Sequence, residues 1–432
     1  MSWKARGFFF LGVPFLAFLA GFTTYHFQVF PYSLLRELGS DLVALKELAG
    51  FGRPHHLFPR IYDESGVTVR RDAELSPGVT LITGYLKNLD WKPGLSLIDS
   101  RGRVLHEWSA DPLNIGFAPE GRAFASSGNS YVHGSYLLPD GDILFNLEYL
   151  GLVRMGPCGE IRWHSDYATH HSIAVTEDGN FWVPGNIAVD PSALDQFPGL
   201  RAPLYEDRLY LVSEDGELLK DISVATIVFA NNLQRYITKA GESPMGDVFH
   251  VNDIAPFPSD LEGEYGDFTI GDIVVSLRNL HLVLILDPET LEVKWYSDDF
   301  IGQHDPDFIG NGLIGVFDNN RDGTPRGGMS GGSRIVAISV FDNDKTVLYQ
   351  GSSKHPFYTS AGGKWQYLEN GNALIIEARA GRVFEVNPSG RIVWEWIQEP
   401  YDEKLVPEVL GATRYVLSDA QSRALAGCGK RD

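Results

Sequence analysis

Cysteine is almost absent: Cys158 and Cys428 are the only two in 432 residues. So few exclude a disulfide framework and any cysteine zinc spacing. In an oxidising compartment the two could pair and tie the C-terminal tail to the domain, or they stand as separate thiols. Basic residues are also scarce, 36 Lys and Arg against 56 Asp and Glu, for a formal charge of −20. A nucleic-acid partner is excluded, because neutralising phosphates needs clustered cations. The deficit does not set the charge of a small substrate, since a few buried cations can dominate one cleft. Long apolar runs are missing too, with one exception. After Lys4 and Arg6, the stretch GFFFLGVPFLAFLAGFTTYHF carries no Asp, Glu, Lys or Arg, and about 18 to 20 such residues can cross a bilayer. The two preceding cations favour a cytoplasmic N-terminus. A cleavable signal peptide is the rival, but its small-x-small site is poor, with Phe18 two residues before Ala20. The reading is a single-pass transmembrane helix over residues 1–28 in the inner membrane. The remainder then faces the periplasmic, extracytoplasmic side.

What is present is the composition of a folded, turn-rich chain: 44% apolar residues, 46 Gly, 24 Pro and 12% aromatics. Many short strands joined by tight turns are expected. Residues 29–77 read as a juxtamembrane helix and linker. Within 31–50, Leu34, Leu38, Leu42 and Leu45 share one helical stripe, which could dock on the domain, on another copy of the chain or on an envelope partner. From 52 to 77 the chain reads as an irregular, charged linker.

From residue 78 a repeat emerges. One half is a turn followed by an apolar strand: LPDGDILFN, TEDGNFWVPG, IGNGLIGVFDN and LENGNALIIEA. The other is a strand, a polar turn and a strand, at 96–108, 152–164, 211–223, 284–296, 338–350 and 384–396. Four antiparallel strands per copy are the signature of propeller blades. The predicted fold is all-β, a six-bladed β-propeller over 78–420 with a tail at 421–432. Insertions at 184–206, 225–249 and 317–333 form rim loops. Asp318, Asn320 and Asp322 resemble the start of a calcium loop, but Met329 stands where its bidentate acid belongs, so a plain surface loop is expected.

Histidines recur in this pattern. His133, His171 and His304 each precede a turn glycine by the same eight residues, at Gly141, Gly179 and Gly312. That position lies on the innermost strand of a blade, which lines the central channel. The fourth blade offers His250 or Asn252 there, and the sixth offers Gly363 with Trp365 nearby. Arg278, in VVSLRNLHLVLI, adds a guanidinium. His170 should alternate away from the channel and serve as a neighbour's hydrogen-bond partner. His55, His56, His26, His106, His164, His281 and His355 fall in linkers, outer strands or loops. Several imidazoles beside one guanidinium suit a sulfate- or phosphate-like group, because arginine binds such oxygens with a planar fork of donors. A neutral imidazole can also carry a transferred group or ligate a metal. Asp305 should point away from the channel, or else orient His304 through a bent strand start.

THHSIAV, VFHVNDI, VVSLRN and GQHDPDF, in that order, together with the closing EVLGATRYVLSD, resemble the bacterial arylsulfate sulfotransferase family across residues 78–420. The resemblance implies sulfuryl transfer from an aryl sulfate ester to a phenolic or other hydroxyl acceptor. The implied route is ping-pong through a sulfohistidine, with no cofactor and no metal. Carried over residue by residue, His304 would be the nucleophile, with His171, His250, Asn252 and Arg278 around the sulfuryl oxygens. His171 or His250 would exchange the phenolic proton. Thr359 or Ser360 could add an oxygen contact, and Trp365, Phe308 and Tyr358 an aryl-binding wall. Better-known members have a β-sandwich domain before the propeller and a close cysteine pair, both missing here. Two other readings stand beside this one: a non-catalytic scaffold of an envelope complex, and a metal-dependent hydrolase or lactonase.

Overall fold

The computed structural model describes residues 3–27, 56–117, 131–241 and 243–430. The helical stripe expected within 31–50 lies outside the described residues. The N-terminal helix, Trp3–Phe27, contains Pro14. Among the described residues no helix is long and apolar enough to cross a membrane. The expected transmembrane span over residues 1–28 is therefore not borne out among the described residues.

Among the described residues 56–117, 131–241 and 243–430, the strands form six sheets of four or five strands, antiparallel except where Gly246–Asp247 runs beside Leu204–Val212, and one small two-stranded ribbon. Each of the six strand–turn–strand copies supplies the third and fourth strands of one blade, and each turn-and-strand motif supplies a second strand. The innermost strands are Val132–Leu137 in blade two, Ala174–Val175 in blade three, Val251–Pro256 in blade four, His304–Phe308 in blade five and Trp365–Tyr367 in blade six. Blade one takes its innermost strand, Val409–Tyr415, from late in the chain. That strand pairs with Val79–Leu86, so the ring is closed by joining early and late segments. The stretch read as a linker is partly structured: Gly66–Arg70 pairs with Ile392–Ile397 as a fifth, outermost strand of blade six. Leu57–Pro59 pairs with Leu405–Pro407 in the ribbon.

Strand alternation explains why the ring holds together. In Leu282–Leu286, residues Leu282, Leu284 and Leu286 pack toward blade three, while Val283 and Ile285 pack toward blade five. Side chains alternate faces along a strand, and here both faces are buried. Six apolar clusters result, one between each pair of neighbouring blades, the last joining blade six to blade one. Burying a Leu, Ile, Val or Phe stabilises by roughly 1.5–3 kcal/mol, so no blade can shed its neighbours without a large loss. A disulfide between Cys158 and Cys428 ties the helix Asp419–Ala426 and its following turn to blade two.

Candidate active site

The inner strands start irregularly, and that irregularity builds the site. Register shifts occur between Val132 and Ser135, Val251 and Asp253, and His304 and Asp307. Bulges of this kind re-aim side chains. His171 and His250 adopt positive φ, 55° and 52°, just before their strands, whereas in blade five it is Asp305, at 51°, that does so. Such conformations are costly for a residue with a Cβ and collect at functional sites. The equal spacing to the turn glycines therefore conceals three different backbone routes to one place. Gly134, next to His133, is required by close approach: a Cβ there would meet the His171 carbonyl oxygen at 2.2 Å. In blade six, Gly363 leaves a gap that Phe317 fills.

His133, His171 and His250 converge. The His171 ring centroid lies 4.0 Å from that of His133 and 4.8 Å from that of His250. His133, His171 and His304 are all buried. Burial, then His133, His250, His170 and His304, hold the His171 pKa well below the usual histidine value. Burial, then Arg278, do the same for His304, against a smaller opposing pull from Asn319. Both rings are therefore neutral near pH 7, because a charged imidazole would be desolvated beside other cations.

A second layer of acceptors, which the sequence reading did not pick out, sets each ring. Glu148 Oε2 accepts from His133 Nδ1 at 3.1 Å and from the His171 backbone N–H at 3.1 Å. Its Oε1 lies 3.2 Å from His171 Nδ1. Burial alone would raise Glu148, but His133, His170 and the His171 amide hold it below the usual glutamate value. Asp247 accepts from His250 Nδ1, and Asp207 from the His250 backbone N–H. His170 is buried and its Nδ1 lies 2.8 Å from His171 Nδ1, as expected of a hydrogen-bond partner. Its Nε2 faces Gly185 O and Asp207.

For His304 the tautomer follows from the bonds. Asn319 Nδ2 donates to the carbonyl oxygens of Thr359 and Gly362, at 2.9 and 2.7 Å. Its Oδ1 is thereby identified as the atom 2.7 Å from His304 Nδ1. Gly302 O lies 3.0 Å from the same nitrogen. Both neighbours are acceptors, so Nδ1 carries the hydrogen and Nε2 keeps its lone pair. Gln303, just before this ring, is pinned by donating to Ser276 Oγ, Leu277 O and Leu282 O. Asn252 Nδ2 donates to Gln303 O at 2.7 Å. Arg278, half-buried, donates to Asn279 Oδ1.

Other expected contacts are placed differently. The Thr359 hydroxyl donates to Ala361 O at 2.6 Å, so it orders its own loop. Ser360 Oγ accepts from Arg379. Trp365 belongs to the core between blades five and six, with Nε1 donating to Asp305 O. Phe308 packs on Phe257 and Tyr265 and borders a separate cavity of about 670 Å³ that also includes Trp182 and Ile270. Neither ring forms an aryl wall at the histidines; each stands where strand alternation sends it, into an inter-blade core. Asp305 is turned aside to accept the Trp365 backbone N–H at 2.7 Å and to pair with Lys364 at 3.2 Å, so it does not orient His304. Asp322 accepts the Thr324, Met329 and Ser330 amides, which makes 317–333 a self-bonded loop. Among the described residues, the one group compact enough to share a metal ion is His133, Glu148 and His171. Glu148 is already bonded there as an acceptor, and His250 and His304 lie outside that group.

Six blades around a buried hollow of imidazoles and one guanidinium define the class: a propeller whose polar centre lies in its channel. The arylsulfotransferase (ASST) family model matches residues 134–399, more than half of the chain. The chain belongs to that family and is a transferase. No curated protein matches it in sequence. Among solved structures, a protein of unknown function from Bacteroides caccae aligns with TM-score 0.46 and 13% identity, over 77% of this chain and 98% of that one. TolB from Acinetobacter baumannii gives 0.45 and 9%, over 78% and 66%. A catalytically inactive virginiamycin B lyase from Staphylococcus aureus gives 0.36 and 12%, over 63% and 71%. At these scores the likenesses carry no argument about chemistry.

Proposed function

We propose that the protein moves a sulfuryl group from an aryl sulfate ester to a hydroxyl acceptor through a sulfated His304. The observation that carries this reading is the fixed tautomer of His304, a neutral ring with a bare Nε2. In the first half-reaction Nε2 attacks sulfur, the S–N bond forms and the S–O bond to the aryl group breaks. In the second, the acceptor oxygen attacks sulfur and the S–N bond breaks, which returns the neutral ring. Arg278 and the histidine N–H groups stabilise charge on the sulfuryl oxygens as the bond to the leaving oxygen loosens.

His250 protonates the leaving phenolate and takes the proton of the incoming phenol. Its Nδ1 bonds the Asp247 carboxylate, which orients the ring and leaves Nε2 to exchange the proton. His171, crowded by other imidazoles and buried, suits a neutral contact to the sulfuryl group. Asn252 holds the backbone that carries His304.

Incubating the protein with 4-nitrophenyl sulfate and a phenol acceptor should release nitrophenolate. Donor alone should add the mass of one SO₃ to a peptide containing His304. Wild-type turnover no greater than that of His304→Ala, across several donors and acceptors, would overturn the reading.

We also place the domain outside the cytoplasm and held at the membrane. The Cys158–Cys428 bond suits an oxidising compartment, and Phe15, Leu16, Phe18 and Phe22 stand exposed on the N-terminal helix. Fractionation of cells producing the chain with and without residues 1–27 tests this; equal recovery of both in the cytosol would refute it.

A further inference from the structure

His170 is buried, yet acid groups surround it. Its Nε2 lies 3.1 Å from Gly185 O and 3.2 Å from Asp207 Oδ1. Both neighbours are acceptors, so Nε2 carries a hydrogen whatever the charge of the ring. The other Asp207 oxygen accepts the His250 backbone N–H at 2.8 Å. Both Asp207 oxygens thus face N–H groups, and a carboxyl hydrogen there would have no acceptor. Burial raises the Asp207 pKa, but this geometry holds it as the carboxylate. Burial also works against charge on His170. Asp207, then Glu148 and Asp247, outweigh it and hold the His170 pKa above the usual histidine value. Tyr149 covers the same ring, with centroids 5.1 Å apart.

The second nitrogen of His170 sets its neighbour. His170 Nδ1 lies 2.8 Å from His171 Nδ1, and one hydrogen lies between them. On a charged His170 that hydrogen belongs to His170, and His171 accepts it at Nδ1. A neutral His171 then carries its own hydrogen on Nε2. On a neutral His170 the order reverses: His171 donates from Nδ1 and its Nε2 is bare. The rival partner for His171 Nδ1 is Glu148 Oε1 at 3.2 Å, but that oxygen makes no hydrogen bond among the described residues. Among those residues the His171 ring bonds through Nδ1 alone, which leaves Nε2 for a ligand.

We propose that His170, held charged by Asp207, fixes the His171 tautomer so that Nε2–H is offered to a sulfuryl oxygen, and that losing the His170 charge turns this donor into a lone pair. On that loss one proton leaves: the Nε2 hydrogen of His171 goes to solvent, while the shared hydrogen passes from His170 to His171 Nδ1. His170 is a positioning residue, acting through His171 and touching no reacting atom. This rests on the sulfuryl-transfer reading for what His171 meets, although the tautomer can be read without turnover. The two rings are then complementary, since His304 meets sulfur with a bare Nε2 and His171 meets oxygen with a hydrogen. A lone pair aimed at an anionic oxygen would repel it, so the donor form is the productive one.

The test is multiple-bond proton–nitrogen NMR of the full chain with isotope-labelled histidine, the two rings assigned by their loss in His170→Gln and His171→Gln. At pH 7 His170 should show two protonated nitrogens, and His171 a protonated Nε2 with a bare Nδ1. As pH rises through the His170 titration, the His171 hydrogen should appear on Nδ1 instead. Both changes should come at lower pH in Asp207→Asn. A neutral His170 at pH 7, a His171 hydrogen on Nδ1 there, or a His171 tautomer that ignores the His170 titration would overturn the proposal. Kinetics give a second readout. His170→Leu has no donor for His171 and should lower kcat for 4-nitrophenyl sulfate about 10- to 100-fold, whereas His170→Gln keeps one and should recover part of the loss. Equal kcat in the two folded variants would also overturn it; if either fails to fold, the wild-type spectrum decides alone. The expected tautomers without sulfuryl transfer remove only the transfer reading, and transfer with the opposite tautomer removes only this inference.

Discussion

His304 Nδ1 lies 2.7 Å from Asn319 Oδ1, and the two residues come from opposite ends of one hairpin in blade five. Asn319 can present only its oxygen, because its amide nitrogen is occupied by two carbonyls of the next blade. A contact between blades thus decides which nitrogen of the ring keeps a lone pair. Replacing Asn319 with Leu should lower kcat by roughly 10- to 100-fold, the usual cost of losing a group that orients a reactive side chain. Asn319→Asp keeps an acceptor and should recover part of that loss. Steady-state kinetics check this: a raised KM with kcat intact would mean that Asn319 only shapes the pocket.

Arg278 affects acid sensitivity as well as binding. After burial, it is the largest influence lowering the His304 pKa. Removing the cation makes the protonated ring less unfavourable, so that pKa rises. In Arg278→Gln the acid limb of the kcat/KM profile, which reports the free enzyme, should move to higher pH. An unmoved limb alongside weaker donor binding would separate the two roles.

The buried histidines also tie stability to pH. His171 and His304 have folded pKa values well below the ordinary 6.5. The unfolded chain therefore binds more protons between the folded value and 6.5, and stability falls as pH drops through that window. Above 6.5 these rings contribute no slope. Thermal melts from pH 7.5 down to 5 should show a decline beginning near 6.5 that is shallower in His171→Gln. An identical slope in both proteins would assign the acid sensitivity elsewhere.

The disulfide is structural in this account. Cys158→Ser with Cys428→Ser should lower stability by roughly 2–4 kcal/mol, read as a drop in thermal midpoint. Neither residue is near the histidines in the fold, so kcat should stay within about twofold of wild type. A large loss of kcat at a temperature where the variant remains folded would show that the tie supports the channel.

The blades were legible because their signals are local. Asp-Gly and Asn-Gly turns at Gly141, Gly179 and Gly312, followed by alternating apolar residues, mark a hairpin wherever it later packs. The convergence of His171, His250, His304 and Arg278 was legible for a related reason: ring closure turns equal repeat position into spatial proximity. The second layer was not legible. Glu148, Asp247 and Asn319 acquire their roles from residues of neighbouring loops and blades, and no spacing within one segment announces such a contact. One signal was available: Glu148, Arg278 and Asn319 each directly follow the second strand of a blade, a repeat position the sequence reading did not use, although it named Arg278 on other grounds. Trp365 and Phe308 misled because an aromatic near a channel strand looks the same whether it faces the channel or the next blade. The strand at 66–70 was missed because a lone outer strand has no hairpin partner nearby in the chain.

Val409–Tyr415 completes blade one only by returning to Val79–Leu86, and it is synthesised after every strand of the other five blades. Until that segment arrives, the Val79–Leu86 edge of blade one has no inner partner and the apolar face that blade six and blade one share lacks Val409 and Ala412. The last strand to be made is therefore the one that shuts the ring.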